Sequence, residues 1–353
     1  MMNYEQSARE QAQRLRESGH ATILAIESSC DETAAAIVRD GREVIASIIS
    51  SQIPLHAMYG GVVPEIASRK HVESIDPVID ECLKKADMTL ADIDAVAVTY
   101  GPGLVGALLI GVSAAKALAY AAGKPLIPVN HIEGHVSANY IAHKDLEPPF
   151  VCLVASGGHS HIVRVEDYGV YTLLGQTMDD AAGEAFDKAA RVLGLPYPGG
   201  PLLDKLSREG NPHALKLPHV QTPGRYDYSF SGLKTALINT VHKLLQNGQD
   251  VPAADIAASF QYAAVELLTD KAVLAAKESG AKVMAMAGGV ASNSQLRNTM
   301  NDKCQKAGIR LVMPPPILCT DNAAMIGSAG FYRLMRGEIA SLDLNACPSL
   351  RLV

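Results

Sequence analysis

An α/β architecture of two lobes around a cleft is predicted for this chain by three observations. Apolar runs of strand length alternate with longer helical stretches. A plan of strand, small polar loop, strand, turn and strand occurs twice, 128 positions apart when Ile26 is set against Val154. Such a repeat suggests an internal duplication, each copy nucleating one lobe. There is no Trp and only five Phe, so the core must rest on Val, Ile, Leu and Ala. Those residues suit parallel or mixed sheets covered by small-faced helices. At 353 residues the chain is also long for one core.

The elements follow in order. Residues 1–20 are polar and charged with a weak helical pattern, an extension or a frayed helix. From Thr22, residues 22–27 read as a buried strand, followed by the polar loop Ser28-Ser-Cys-Asp-Glu32. Residues 33–39 form a second strand, Asp40-Gly41 a tight turn, and residues 44–50 a third strand. A strand at 95–100 runs into the loop Gly101-Pro-Gly-Leu-Val-Gly106, and the Ala-rich stretch 107–122 reads as a helix packed through small side chains. The apolar run Lys124-Pro-Leu-Ile-Pro-Val-Asn130 then delivers a strand to a helix start. In the second copy the strand is 150–155, the loop Ser156-Gly-Gly-His-Ser160, and the next strands 161–165 and 170–175. Later come a strand at 282–287 leading into Gly288-Gly289, a helix at 292–306, and a short strand at 311–313 ended by Pro314-Pro-Pro316.

Composition narrows the function. With 48% apolar and 19% charged residues the chain is an ordinary globular protein, and a formal charge of −6 argues against a dedicated, broadly basic nucleic-acid binder. Arg69-Lys-His71 and Lys234 are only modest basic features. Cysteines 30, 82, 152, 304, 319 and 347 form no C-x-x-C pair, and no signal peptide is evident, so free thiols in a reducing cytosol are expected. No apolar run spans a bilayer length without a charge or turn residue intervening.

The chemistry centres on His131-Ile-Glu-Gly-His135. Histidines four apart on a helix share a face and can reach one metal ion, although the same spacing arises on solvated helices. Asp321 stands in Ile-Leu-Cys-Thr-Asp-Asn-Ala-Ala, where a carboxylate could cap a helix or complete a His₂Asp site with open positions. Spacing does not decide between the two. Ser156-Gly-Gly-His-Ser160 could bind an anion through its backbone N–H groups or be a plain hairpin loop. Gly288-Gly-Val-Ala-Ser-Asn293 follows a strand and opens a helix, a junction that presents helix N–H groups to a ligand; Ser292 or Asn293 could equally be an N-cap. Tyr197-Pro-Gly-Gly-Pro-Leu-Leu-Asp204 is a rigid loop entering a helix, with Asp204 expected to face the cleft. Within 179–187, the spacing places Asp180, Glu184 and Asp187 on one helical face.

Together these motifs resemble the TsaD family, within the actin/Hsp70/sugar-kinase (ASKHA) superfamily of duplicated ATP-binding folds. The resemblance runs from about Ile23 to about Arg333 and rests on Glu27-Ser-Ser-Cys-Asp-Glu-Thr33, Gly60-Gly-Val-Val-Pro-Glu-Ile-Ala-Ser-Arg69, Gly101-Pro-Gly-Leu, His131-x-x-x-His135, Ser156-Gly-Gly-His, Phe230-Ser-Gly-Leu-Lys-Thr235 and Gly288-Gly-Val-Ala-Ser-Asn293. Residues 179–187 and 230–235 look like the bacterial branch. The resemblance implies a polar extension at 1–20, an N-terminal lobe at 21–147 with residues 318–353 packing back on it, and a C-terminal lobe at 148–317, around a nucleotide- and metal-binding cleft.

It also implies a cytoplasmic tRNA N6-adenosine threonylcarbamoyltransferase. Such an enzyme moves the threonylcarbamoyl group from threonylcarbamoyl-adenylate to N6 of the adenosine 3′ of the anticodon, in tRNAs reading codons that start with A, and releases AMP. Carried over by position, His131, His135 and Asp321 hold one divalent ion per subunit, Fe²⁺ or Zn²⁺. Val154, Ala155, Ser156, Gly157, Gly158 and Asn293 contact substrate, and Asp187, Gly200 and Asp204 contact the nucleoside part. Val154 stands where archaeal relatives carry a Tyr that can also reach the metal, so water or a substrate oxygen is the expected fourth ligand. ATP, ADP or AMP are further expected ligands. The implied partners are tRNA, a TsaB-like paralogue and a TsaE-like ATPase, with a TsaC-like enzyme supplying the adenylate, and no membrane. No covalent nucleophile is required.

Three rival readings make different demands. A metalloprotease needs H-E-x-x-H, whereas Ile132 follows the first histidine here and Glu133 lies about 200° around the helix. A small-molecule kinase of the same superfamily leaves His131 and His135 without a role. A nucleotide-binding scaffold resembling TsaB would lack the metal residues that this chain keeps.

Overall fold

The apolar run at 22–27 becomes the central strand of the first of two five-stranded sheets in the computed structural model, which describes residues 4–218 and 222–353. Residues 1–3 of the polar extension lie outside the described residues. After helix α1 (Tyr4–Ser18), strands β1 (Thr22–Glu27), β2 (Glu32–Arg39) and β3 (Glu43–Ser51) form an antiparallel meander. Helices α2 (Ile53–Ala57) and α3 (Pro64–Lys85) lead to β4 (Ala95–Gly101), α4 (Val105–Ala122), β5 (Leu126–Asn130) and α5 (His131–Ala142). The sheet order is β3-β2-β1-β4-β5, with β1, β4 and β5 parallel.

The second sheet repeats this plan. Strands β6 (Phe150–Ala155), β7 (Ser160–Asp167) and β8 (Val170–Gln176) are antiparallel, followed by α6 (Ala182–Val192), α7 (Gly199–Ser207), α8 (Ser231–Gln246) and α9 (Ala253–Glu278). Then come β9 (Val283–Ala287), α10 (Ser294–Ala307), β10 (Arg310–Val312) and α11 (Pro316–Cys319), in the order β10-β9-β6-β7-β8. Strands β6, β9 and β10 are parallel, so the two sheets share strand order and strand sense. Helix α12 (Ala323–Met335) returns to the first sheet, and the chain divides into Met1–Glu147 with Thr320–Val353, and Pro148–Cys319.

Burial on both faces explains why β1 is an unbroken apolar run rather than an alternating one. Leu24 and Ile26 join the cluster with Ile75, Val78 and Ile79 of α3 and Val112 and Ala115 of α4. Ile23 and Ala25 face the glycines of α12. The second core forms around Phe186, Phe260, Leu203 and Met286, with α6 to α9 packed together.

Helix ends follow local chemistry. Pro64 opens α3, whose last turn carries Lys84 and Lys85, and Gly123 closes α4 in the left-handed region at φ 64. Among the described residues, α4 is the one helix long and apolar enough to cross a membrane; it carries Lys116 and packs on β4 and α3.

Two local expectations change. The segment expected to be helical from 292 starts with a short 3₁₀ turn at Gly289–Ser292, and α10 begins at Ser294 because Asn293 caps it. Helix α1 docks, with Tyr4 Oη donating to Lys124 O, Gln11 to Asp94 O and Arg16 to Met335 O.

Candidate metal centre and ligand-binding loops

Asn130 sets the geometry of the histidine pair. It ends β5 and caps α5, its Oδ1 accepting from Ile132 N at 2.8 Å and Glu133 N at 3.4 Å. His131 is therefore the first helical residue and His135 lies one turn on. Every residue from His131 to Tyr140 is buried, because α5 packs along α12. The helices approach closely at Gly134, where a Cβ would stand 2.7 Å from Ile326 Cδ1.

The two readings of Asp321 separate here. Asn322 caps α12, accepting from Met325 N at 3.0 Å, so the capping role falls to the neighbour. Asp321 turns to the histidines: its Oδ1 is 3.5 Å from His131 Nε2 and 3.3 Å from His135 Nε2. The three donors lie within 4.8 Å of one another, where a tetrahedral zinc site holds them roughly 3.3 Å apart. The histidine rings meet edge to face at 4.6 Å. Asp321 is 23% exposed while both histidine side chains are buried, so the carboxylate marks the open side.

The electrostatics suit a cation. His135 Nδ1 is buried without a hydrogen-bond partner, an arrangement that costs about 1–3 kcal/mol unless a ligand satisfies it, and Nε2 is buried with only the 3.3 Å contact to Asp321 Oδ1. Burial and the adjacent His131 hold the His135 pKa below its ordinary value. His131 moves the other way: burial opposes its charge, but the carboxylates of Asp321 and Glu27 push its pKa up to about 9. Burial likewise opposes the Glu27 charge, and His131 overcomes it, leaving the carboxyl below its usual range. A ligand set of two neutral imidazoles and one anionic carboxylate fits divalent zinc or iron.

The neighbouring acid that a protease would need is committed elsewhere. Glu133 is buried and accepts from Arg333 Nε at 2.7 Å. Burial raises its pKa, with Arg333 opposing.

In the second unit the glycine loops form a ring of contacts. Ser156, Gly157 and Gly158 make the β6–β7 turn, closed by Ser156 N donating to His159 O at 2.8 Å. It is thus a hairpin loop, and one with open space where Cβ atoms at Gly157 and Gly158 would stand. Helix α6 starts against it, Gly183 N donating to Ser156 O at 3.1 Å and Ala182 N to Ser160 Oγ at 2.9 Å. Asp187 of α6 accepts from Gly199 N and Gly200 N at 2.9 and 3.0 Å, holding the start of α7. Asp204 of α7 accepts from Gln261 Nε2, whose own Oε1 accepts from Asn293 Nδ2 at 2.8 Å. Gly288 closes the ring at φ +87, where a Cβ would fall 2.4 Å from Ala155 O.

Several predicted site residues have partners within the fold. The side chains of Val154 and Ala155 are wholly buried, and Asp204 is nearly so, bonded to Ser294 Oγ and Arg208 as well as Gln261. Asn293 is an N-cap, accepting from Leu296 N at 2.9 Å. Asp180, Glu184 and Asp187 do not share a helical face, because α6 begins only at Ala182. Asp180 pairs with Lys188 and Lys234, Glu184 with Lys188, and Asp187 with backbone N–H groups. Asp179 caps the start of α8 through Phe230 N and Ser231 N.

Three residues that carry the arrangement had no role in the sequence reading. Glu27 and Thr99 lie behind His131, and Gln261 links Asp204 to Asn293. Each is a single polar residue ending or interrupting an apolar run, which is the one signal the sequence offers.

The family model for TsaD, tRNA N6-adenosine threonylcarbamoyltransferase, matches residues 43–328. A Clostridium perfringens (strain SM101) protein named tRNA N6-adenosine threonylcarbamoyltransferase is 60% identical over 94% of this chain and 98% of its own length. A Clostridium botulinum (strain Kyoto) protein of the same name is 58% identical over 94% of this chain and 97% of its own. Among solved structures, full-length HypF in the phosphate- and nucleotide-bound form aligns with TM-score 0.60 at 16% identity, covering 89% of this chain and 55% of HypF. The Acidaminococcus fermentans (R)-2-hydroxyglutaryl-CoA dehydratase component A gives 0.52 at 16%, covering 90% of this chain and 98% of its own. These two show the fold alone, shared over about nine-tenths of this chain. With most of its length matched by the family model and by relatives at about 60% identity, the chain belongs to the TsaD family of tRNA N6-adenosine threonylcarbamoyltransferases.

Proposed function

We propose that this chain transfers the threonylcarbamoyl group from threonylcarbamoyl-adenylate to N6 of the adenosine 3′ of the anticodon, in tRNAs reading codons that start with A. The observation that carries the reading is 60% identity across 98% of a relative named for this transfer, in a chain that brings two buried histidines and Asp321 together. In the reaction the N6 nitrogen forms a bond to the carbamoyl carbon, the bond from that carbon to the phosphate oxygen breaks, AMP leaves with the electron pair, and the amine loses a proton. An exocyclic adenine amine is a poor nucleophile because its lone pair is delocalised into the ring. Holding an already activated acyl group in place is therefore the main task of the protein.

His131, His135 and Asp321 are the residues that would hold Fe²⁺ or Zn²⁺. Bound there, a divalent ion supplies Lewis acidity toward a carbamoyl or phosphate oxygen. The backbone at Ser156, Gly157 and Gly158, with the start of α6 and its positive end, suits the adenylate phosphate. Asp187 positions the Gly199–Gly200 turn, and the Asp204–Gln261–Asn293 chain of bonds holds α7 against the start of α10, beside the nucleoside. Catalysis is thus positional and electrostatic, with no covalent intermediate.

A charge of −6 leaves tRNA docking to a TsaB-like paralogue and a TsaE-like ATPase, which supply positive surface, while a TsaC-like enzyme supplies the adenylate. Six unpaired cysteines support a cytosolic setting. The test is incubation with threonylcarbamoyl-adenylate, these partners and unmodified tRNA, followed by mass analysis of the nucleosides. Threonylcarbamoyl-adenosine is the expected product. Its absence would overturn the reading, and ADP formed from ATP with a small hydroxyl or carboxylate substrate as acceptor would favour the kinase reading.

A further inference from the structure

Glu27 ends β1, and its side chain is wholly buried, among strand residues that are otherwise apolar or small. Desolvating a carboxylate costs several kcal/mol unless partners compensate, so a carboxylate at this position needs a reason. Its partners are specific. Oε1 accepts from Ser29 N at 2.5 Å, and Oε2 accepts from Thr99 Oγ1 at 2.6 Å and lies 3.1 Å from His131 Nδ1. Ser29 Oγ stands at 3.1 Å from the same nitrogen. Both oxygens are thereby anchored from elements other than α5, and the carboxylate is held in one orientation toward the ring.

We infer that Glu27 is a positioning residue for the metal centre: as an obligate acceptor it holds the proton on His131 Nδ1 and leaves Nε2, the nitrogen facing Asp321, as the lone-pair donor. This rests on the metal reading of His131, His135 and Asp321. A ring nitrogen's tautomer is set by the bond that the other nitrogen makes, and a carboxylate can only accept. A glutamine at 27 has one oxygen and one amide N–H₂. If its oxygen keeps the bond from Ser29 N, its N–H₂ faces His131 Nδ1 and favours the opposite tautomer, with the proton on Nε2. If it turns round, Ser29 N is left facing a donor. Thr99→Val removes a bond to Glu27 and leaves the carboxylate on His131.

The test uses zinc as the probe, read by metal content and by competition with a chelator of known affinity at pH 7.5, with thermal melting in excess chelator as the measure of fold. Wild-type protein binds one zinc per chain. E27Q binds it roughly 10–100-fold more weakly, whereas T99V, which loses one anchor of the carboxylate but keeps the acceptor on His131, loses less affinity than E27Q. Zinc affinity in E27Q equal to wild type would overturn the inference. Should E27Q not fold, the zinc-loaded wild-type protein still decides. ¹⁵N-labelled histidine is expected to show His131 protonated at Nδ1 and metal-bound at Nε2, and the reverse assignment overturns the inference. A wild-type chain that binds no zinc or ferrous iron would overturn the metal reading itself, and this inference with it.

Discussion

At the scale of single residues, the donors at His131, His135 and Asp321 are opposed in charge preference, and that opposition makes a pH prediction. In the metal-free chain the pKa of His131 is raised to about 9 by Asp321 and Glu27, while that of His135 is lowered, first by burial. A raised histidine pKa means that the pairing stabilises the metal-free fold fully below the ordinary value, and that this contribution is lost as pH rises through about 9. A metal must displace that proton from His131, whereas His135 has none to give up near neutrality. Apparent zinc affinity should therefore rise by about one log unit per pH unit between roughly pH 6.5 and 9, with one proton released per ion. Calorimetric titration in buffers of different ionisation enthalpy checks this, and a flat profile would contradict it. Why Asp321 turns to the histidines and does not cap α12 was illegible in sequence, because Asp321 and Asn322 are both good caps and only the structure shows Asn322 taking that bond. Glu27 was equally hidden, since its partners Thr99 and His131 lie 72 and 104 positions away.

At the scale of elements, the sequence pattern was legible wherever burial on both faces produces unbroken apolar runs. The strands β1, β6 and β9, and the turn between β2 and β3, stand close to where the pattern puts them. The carboxylates Asp180, Glu184 and Asp187 were misplaced because helical spacing was extended two residues before α6 begins. The element that matters most is the α5–α12 pair, which brings residues nearly 190 positions apart to one point. Asn322→Ala removes the α12 cap and should cost about 1 kcal/mol in stability, together with weaker zinc binding as the segment carrying Asp321 loosens; thermal melting and chelator competition read the two effects. Gly288→Ala forces a Cβ to 2.4 Å from Ala155 O at φ +87. It should destabilise by about 1–3 kcal/mol and weaken binding of AMP or of a threonylcarbamoyl-adenylate analogue, measurable by calorimetry. Unchanged stability in this variant would show that the β9–α10 junction relaxes more easily than its backbone contacts imply.

At the scale of the whole molecule, two sheets of one strand order follow from two copies of one sequence plan, and each carries its own part of the chemistry. The first holds the His₂Asp group and the second the ring of glycine loops, so on the proposed function variants in one should spare the other's binding. Metal bound to the native state alone stabilises it by mass action, about 2.7 kcal/mol at a free concentration of 100 Kd. Zinc should therefore raise the melting temperature of the wild-type chain and leave that of Asp321→Ala unmoved. The most direct measurement is threonylcarbamoyl transfer to unmodified tRNA by wild-type and Asp321→Ala proteins of known metal content, with the same partners and adenylate. The account predicts threonylcarbamoyl-adenosine from metal-loaded wild type and a loss of both metal and product in the variant. Full transfer by metal-free Asp321→Ala would contradict it.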